Sequence, residues 1–539
     1  MRNINRREFI GGALAGSAAL LAPRGARAAD AKVEILLGEQ IGTVAPEIYS
    51  HFIEHLGGVI YDGVWVGEGS KIPNVGGVRA ALVEHMRKIK PAVVRWPGGC
   101  FADQYNWRDG TGPRRERPRR TNFWVSDSTK DSDSPQVYET NHFGTNEFMR
   151  FCKLVGAEGY LAANLRSLPA KDFYEWVEYC NAPANLTTNS RLRAAAGDPA
   201  PFNVKYWGVG NESWACGGNF TPEEYATEFR RFVAWVPRYG LKLNLVAAGP
   251  DAGDWNWTRG FFTKLAEKGD RMFGSLYGWA LHYYAGIDAP RKASTDYDEA
   301  GWYELLAKAD RMESLITEHW AIMGGVDIRH RVKLVVDEWG AWHGRAREMP
   351  ATYLWAYPGT LRDALISGLT LDTFNRHADK VAMANVAQTV NTIHSLFLAH
   401  EDKFVATPNY HVFEMYSAHG GGKSLRTVFN APDIEAHVNA RPAKLWGLQG
   451  SASLHDKQLI LTVVNPHHSQ PREAEVAVRG ASVSSCQSRV LTSTDIHAHN
   501  TFANPRALEP TDGEVKAGGP TFVYRFAPAS VTRLTMSLV

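Results

Sequence analysis

Eight short apolar stretches, alternating with helical patterns, constrain this chain more than any other feature. They are Pro46–Ile53, Ala92–Trp96, Gly159–Asn164, the stretch from Val204 into Asn211-Glu212, Leu243–Ala248, Gly278–Tyr283, Leu334–Asp337 and Val381–Ala384. Helical patterns lie between them. In Gly77–Lys90, Val78, Leu82, Met86 and Ile89 make one apolar stripe. Thr145–Val155 has Gly156 as its C′ residue. Thr221-Pro222-Glu223-Glu224 is a capping box with proline in the first turn. Tyr303–Ala321 and Thr360–Arg376 carry further helical patterns. Strand–helix alternation of this length predicts an α/β fold, a (β/α)8 TIM barrel over about residues 46–400.

At 539 residues the chain exceeds one barrel of roughly 250 residues. Beyond about residue 404 the pattern changes to short alternating segments, such as Gln458–Asn465, Glu473–Arg479 and Phe522–Phe526, punctuated by Gly, Pro and Asn. This predicts an all-β, jelly-roll-like C-terminal sandwich. The lone strand Lys32–Leu37 has no helix of its own and is expected to join it, giving a second domain of residues 29–45 plus 404–539.

Residues 1–28 read as an export signal. Asn5-Arg6-Arg7-Glu8-Phe9-Ile10 resembles the twin-arginine consensus, an apolar run Ile10–Ala22 follows, and Ala26-Arg27-Ala28 has the form of a cleavage site. The expected location is periplasmic or extracellular. The run is short for a bilayer span, which needs ~20 residues.

A formal net charge of +2 implies no nucleic-acid and no membrane partner. The arginine-rich loop Arg114–Arg120 is then a rim loop with salt bridges. The acidic loop Ser126–Ser134, with Asp127, Asp131 and Asp133, lacks EF-hand spacing and reads as solvated rather than calcium-binding. The five cysteines show no C-x-x-C spacing, so neither a zinc knuckle nor a disulfide framework is expected.

Two of the apolar strands end on a carboxylate beside an aromatic: Tyr206-Trp207-Gly208-Val209-Gly210-Asn211-Glu212 and Val335-Val336-Asp337-Glu338-Trp339. The C-terminal mouth of a barrel is where catalytic groups collect. Glycosidic hydrolysis needs one proton donor and one carboxylate on the opposite side of the sugar. Glu212 and Glu338 can take those roles if the fold brings their strands close together. A third carboxylate, Glu54, lies in His51-Phe52-Ile53-Glu54-His55. These letters match H-x-x-E-H, an inverted zinc-protease pattern, but that site needs a helix. Here the pattern follows a strand and runs into Gly57-Gly58, so Glu54 reads better as an acceptor for sugar hydroxyls. Pro97-Gly98-Gly99-Cys100 closes the second strand, and its glycines allow close backbone approach. Cys100 by itself reads as a small buried residue. Tyr283 and Tyr284 close the sixth strand, where a hydroxyl could orient a nucleophile, and Gln388 follows the eighth. A sugar-binding protein on a decayed hydrolase scaffold is the non-enzymatic alternative, and the presence of both Glu212 and Glu338 speaks against it.

The stretches HFIEHLGGVIYDGVW, VVRWPGGCFADQYNWRDGTGP, ETNHFGTNEFMRFC, YWGVGNESW, LHYY, VVDEWGAWH and MANVAQTVN, with TPNYHVFEMYSAH beyond them, resemble the α-L-arabinofuranosidases of glycoside hydrolase family 51. The resemblance implies a retaining, exo-acting enzyme. Glu212 would be its acid/base, Glu338 its nucleophile, and Asn211 a ligand of the sugar 2-hydroxyl. It places Glu54, Cys100, Tyr284, Gln388 and Trp124 in the sugar pocket. It also implies a barrel plus sandwich, no cofactor, no metal, an arabinofuranosyl-containing oligosaccharide or polysaccharide as partner, and a homo-oligomer. The same machinery on a galactofuranoside or a β-glucan is the close alternative.

Overall fold

The computed structural model describes residues 29–126, 138–286, 292–344, 349–350 and 352–539. The twin-arginine segment and Asp127, Asp131 and Asp133 lie outside these residues.

After β1 (Ala31–Thr43) come eight parallel strands: β2 (Ser50–Phe52), β3 (Val93–Trp96), β4 (Glu158–Ala163), β5 (Tyr206–Val209), β6 (Asn244–Asp251), β7 (Leu276–Ala285), β8 (Lys333–Ala341) and β9 (Val381–Ala387). They form a closed barrel in sequence order, and β9 pairs with β2 to complete the ring. Val93, Tyr160, Tyr206, Val246, Ala280, Val335 and Met383 fill the lumen as one apolar cluster. The barrel is therefore a packed core with a site at its mouth rather than a pore.

The surrounding helices are α1 (Ala80–Ile89), α2 (Thr145–Val155), α3 (Ala170–Asn181), α4 (Pro222–Val233), α5 (Trp255–Ala266), α6 (Glu299–Asp310), α7 (Met312–Gly324), α8 (Leu361–Arg376) and α9 (Pro408–Tyr416). Their ends follow local chemistry. Gly156 terminates α2 at φ +80. Thr221 Oγ1 accepts from Glu224 N while Glu224 accepts from Thr221 N, which starts α4.

Several boundaries differ from expectation. The Gly77–Lys90 helix begins only at Ala80, because Gly77 sits at φ +89 under the Trp65 ring, where a Cβ would fall 2.3 Å from a ring carbon. Val78–Arg79 instead pairs with Asn74–Val75. Pro46–Tyr49 coils into a 3-10 turn, leaving three residues for β2. The Tyr303–Ala321 pattern divides into α6 and α7, which meet at Arg311. Within TPNYHVFEMYSAH, Pro408–Tyr416 forms α9, which packs mainly on α8, and His419 reaches Ser453 and Thr462 of the second body.

The arginine-rich loop is held by ion pairs. Arg117 and Glu147 are buried together at 3.1 Å, Arg114 reaches Glu68 and Glu147, and Arg120 pairs with Asp109.

The second body is a nine-stranded sheet system built from β10 (Lys423–Asn430), β11 (Gln449–His455), β12 (Gln458–Asn465), β13 (Arg472–Arg479), β14 (Val483–Thr492), β15 (Thr511–Val515), β16 (Thr521–Phe526), β17 (Ser530–Leu538) and β1, in the order β15-β14-β17-β12-β11-β10-β1-β13-β16. β1 runs antiparallel to β10 and parallel to β13. Alternate residues such as Val33, Ile35, Leu461, Val476 and Leu534 fill its core. The fold is a TIM barrel with a C-terminal β-sandwich.

The two bodies meet across α8, which is buried on all faces from Leu361 to Asn375. Asp372 on α8 accepts from Ser451 Oγ at 2.6 Å, Thr462 Oγ1 at 2.5 Å and Tyr416 OH at 2.8 Å. These three donors satisfy a carboxylate that could not otherwise be buried there.

No helix of the described residues is long and apolar enough to cross a membrane.

Candidate active site

The C-terminal ends of the barrel strands bring Glu54, Cys100, Asn211, Glu212, Tyr284, Glu338 and Gln388 to one mouth, with Trp124 added from the loop after β3. The strands of Glu212 and Glu338 are not neighbours, since β6 and β7 lie between them in the ring. The carboxylates meet across the mouth instead. One oxygen of each, together with His282 Nδ1 between them, lies within 4.8 Å of the others.

A bulge in β8 makes this possible. Leu281 pairs with Val336 and His282 with Glu338, so Asp337 is skipped in the register. Such an extra residue re-aims the side chains around it. Asp337 takes a buried place, accepting from Tyr160 OH at 2.8 Å and Asn385 Nδ2 at 2.7 Å. Glu338 then reaches the mouth, accepting from Tyr284 OH at 2.7 Å and Arg95 Nη1 at 2.8 Å. Burial alone would raise Glu338. The positive charges of His282 and Arg95, with the hydrogen bonds from Arg95 and Tyr284, outweigh it and hold the group below the usual carboxylate range.

Glu212 titrates in the opposite direction. It sits at φ +40, in the left-handed region that a non-glycine residue occupies only where its surroundings hold it. Its Oε1 lies 3.0 Å from His282 Nδ1. Burial raises it, the His282 hydrogen bond opposes, and the negative charge of Glu338 raises it further, for a net upward shift. A carboxyl whose proton affinity is raised, opposite one whose proton affinity is lowered, can serve as a donor–nucleophile pair. The three facing atoms are close enough to hold a cation. However, His282 Nδ1 already serves the two carboxylates, and Arg95 supplies the positive charge.

Glu54 lines the other side. Its Oε1 accepts from Phe101 N at 3.0 Å and Trp124 Nε1 at 3.3 Å, and its Oε2 from Gln388 Nε2 at 3.1 Å. The two glycines after β3 admit this side chain. A Cβ on Gly98 would fall 3.0 Å, and one on Gly99 2.8 Å, from its oxygens. Burial, then the charge of Glu338, pushes Glu54 up to about 8, so near neutral pH it can donate as well as accept. Phe52, Trp124, Tyr284 and Trp355, with Trp342 and Cys100 against them, make an apolar wall beside these groups.

Asn211 is fixed from both ends. Its backbone N–H donates to buried Asp103 at 3.0 Å, and its Oδ1 accepts from Arg95 Nη2 at 2.5 Å. That leaves Nδ2 for other partners.

Cys100 corrects the sequence reading. It forms a disulfide with Cys216, so it offers no thiol, and the expectation that the cysteines are unlinked fails. The partners are separated by 116 residues and meet only because the β3 and β5 loops share the mouth. Spacing rules cannot see such a pair.

The H-x-x-E-H letters do not assemble a metal site. His51 is buried against Phe413 and pushed down to about 3 by burial, whereas His55 contacts Glu139 and Trp96.

Arg95 and His282 are the residues that the sequence reading missed. A charged residue inside the apolar run Val93-Val94-Arg95-Trp96 was the available signal, since a buried arginine requires partners. His282 stands two residues before Tyr284, on the same face of its strand.

The α-L-arabinofuranosidase 1 domain profile matches residues 85–301, and the α-L-arabinofuranosidase C-terminal domain profile matches residues 337–530. An intracellular exo-α-L-arabinofuranosidase of Bacteroides ovatus is 31% identical over 497 residues, covering 92% of this chain and 93% of that protein. A probable α-L-arabinofuranosidase C of Aspergillus clavatus is 28% identical, over 84% of this chain and 90% of its own. Among solved structures, the GH51 arabinofuranosidase of Xanthomonas axonopodis pv. citri superposes with a TM-score of 0.86 at 35% identity, covering 94% of this chain and all of the other. The arabinose complex of the Thermotoga maritima α-L-arabinofuranosidase gives 0.81 at 27% identity over 94% of this chain.

Proposed function

The chain belongs to the α-L-arabinofuranosidases of glycoside hydrolase family 51, and from that membership we propose a retaining, exo-acting mechanism on terminal arabinofuranosyl groups of arabinoxylan- or arabinan-type chains. The observation that carries the stereochemistry is the separation of the carboxylates. Their facing oxygens lie within 4.8 Å, with His282 Nδ1 3.0 Å from Glu212 and 3.6 Å from Glu338, which supports the close pairing of a retaining site.

In this reading Glu338 attacks the anomeric carbon while Glu212 protonates the leaving oxygen. Glu212 then takes a proton from the water that releases arabinose. Arg95, His282 and Tyr284 keep the nucleophile ionised and aimed. Asn211 Nδ2, which has a second N–H besides the one facing Cys216 Sγ, takes the 2-hydroxyl. Glu54, Gln388 and Trp124 take the remaining hydroxyls and the ring. Cys100 contributes through its disulfide as part of the wall.

The twin-arginine stretch supports export to the periplasm or beyond, although the Bacteroides relative is named intracellular. Family resemblance supports a homo-oligomer, which light scattering tests. Turnover of arabinofuranosides set against galactofuranosides and β-glucans, with the anomer of the first-formed sugar followed by NMR, tests substrate and stereochemistry together. An α-anomer released first supports retention, and a β-anomer overturns it.

A further inference from the structure

The Glu212 carboxylate is enclosed on two sides. Oε1 faces His282 Nδ1. Oε2 faces two sulfur atoms, Cys216 Sγ at 3.6 Å and Cys100 Sγ at 3.7 Å. Those sulfurs are bonded to each other, so neither carries a hydrogen to give. Cys216 also accepts from Asn211 Nδ2 at 3.8 Å, and so touches both members of the Asn211-Glu212 pair. The turn that carries it is drawn tight. A Cβ on Gly217 would fall 1.7 Å from the Asn211 carbonyl oxygen.

We infer that Cys216, joined to Cys100, is a positioning residue for the acid/base: the disulfide fixes the Glu212 carboxylate and keeps proton donors off Oε2, so that opening it weakens acid assistance to the leaving group. The inference rests on the proposed role of Glu212. Both cysteines are partly exposed at the barrel mouth, within reach of a small dithiol. Such a dithiol delivers two electrons and two protons, leaves as its own cyclic disulfide, and converts the pair into two thiols. Each S–H then lies beside Oε2 and favours the ionised form of Glu212. Glu212 then carries its proton over a narrower pH range, while the nucleophile is untouched.

The test uses the full chain, before and after treatment with dithiothreitol. Cys152, Cys180 and Cys486 are the buried free thiols among the described residues. Thiol titration of the unreduced, denatured protein is therefore expected to find three reactive groups, and five would overturn the proposal. The alkaline limb of the pH profile for an alkyl arabinofuranoside, a poor leaving group, is expected to fall by about one pH unit on reduction, the order expected of one weak hydrogen bond to a charge. Rates on a nitrophenyl arabinofuranoside, which needs little acid assistance, should change less than about twofold on the same scale. The doubly substituted Cys100→Ala/Cys216→Ala protein should be insensitive to dithiothreitol. Circular dichroism and the unfolding temperature verify that each form is folded. A folded, reduced enzyme with an unchanged alkaline limb overturns the inference and leaves the function standing. Absence of turnover on every arabinofuranoside would instead sink the functional reading.

Discussion

Arg95 Nη1 donates to Glu338 Oε1 at 2.8 Å, deep in a strand that otherwise carries apolar side chains. The same guanidinium lies 3.2 Å from Asp337 and donates to Asn211, so one buried cation serves two carboxylates and the Asn211 amide. Removing one partner of a buried ion pair leaves charge without compensation, whereas the intact network sets the guanidinium against two carboxylates.

Arg95→Met is therefore expected to destabilise the barrel by about 3–5 kcal/mol. It should also move the acid limb of kcat/KM to higher pH, because Glu338 loses a charge that holds it low. Thermal unfolding and a pH–rate profile check both. An unchanged acid limb would contradict the role given to Arg95.

Glu212→Ala should separate substrates by their leaving groups. The loss is expected to reach about 10²–10⁴-fold for alkyl arabinofuranosides. It should be far smaller for nitrophenyl substrates, whose bond formation to Glu338 needs no proton. Equal losses across a leaving-group series would show that Glu212 acts otherwise.

Glu54 gives a stability prediction of definite sign. Its folded value of about 8 lies above the ordinary carboxylate value. The folded state thus binds its proton more tightly than the unfolded chain does. That contribution is fully present below the unfolded value, declines as pH rises between the two, and is gone above about 8. The unfolding temperature of the unliganded wild type should then fall more steeply between pH 5 and 8.5, roughly the window bounded by these values, than that of Glu54→Gln. Parallel slopes would contradict the placement of Glu54.

Gly99→Ala tests the close approach after β3. Its Cβ would stand 2.8 Å from Glu54 Oε2, so the carboxylate must shift. A drop of ~10-fold in kcat/KM is expected, carried mainly by KM. Wild-type kinetics would mean that Glu54 can move without cost to binding.

The barrel was legible because parallel strands buried on both faces read as apolar runs and two helices brought their own start or stop chemistry, Gly156 after α2 and the Thr221 box before α4. Glu212 and Glu338 were legible because each ends such a run, Glu212 in the polar pair with Asn211 and Glu338 beside Trp339. What escaped was pairing over long sequence distances. The Cys100–Cys216 bond, the Arg95 network and the placement of His282 between two carboxylates exist only once the ring closes. The Asp337 bulge also escaped, since register follows from the partner strands rather than from the eighth apolar stretch alone. Gly98 and Gly99 were read as making room for a ligand, whereas the group that they admit is the chain's own Glu54.

The most direct test of the account is turnover of a nitrophenyl α-L-arabinofuranoside by the wild-type protein and by Glu338→Ala, with azide added to the variant. The account predicts wild-type turnover, a loss of roughly 10³-fold or more in the variant, and azide rescue giving the β-configured arabinofuranosyl azide. Near-wild-type activity in the variant, or an azide product of α configuration, would contradict it.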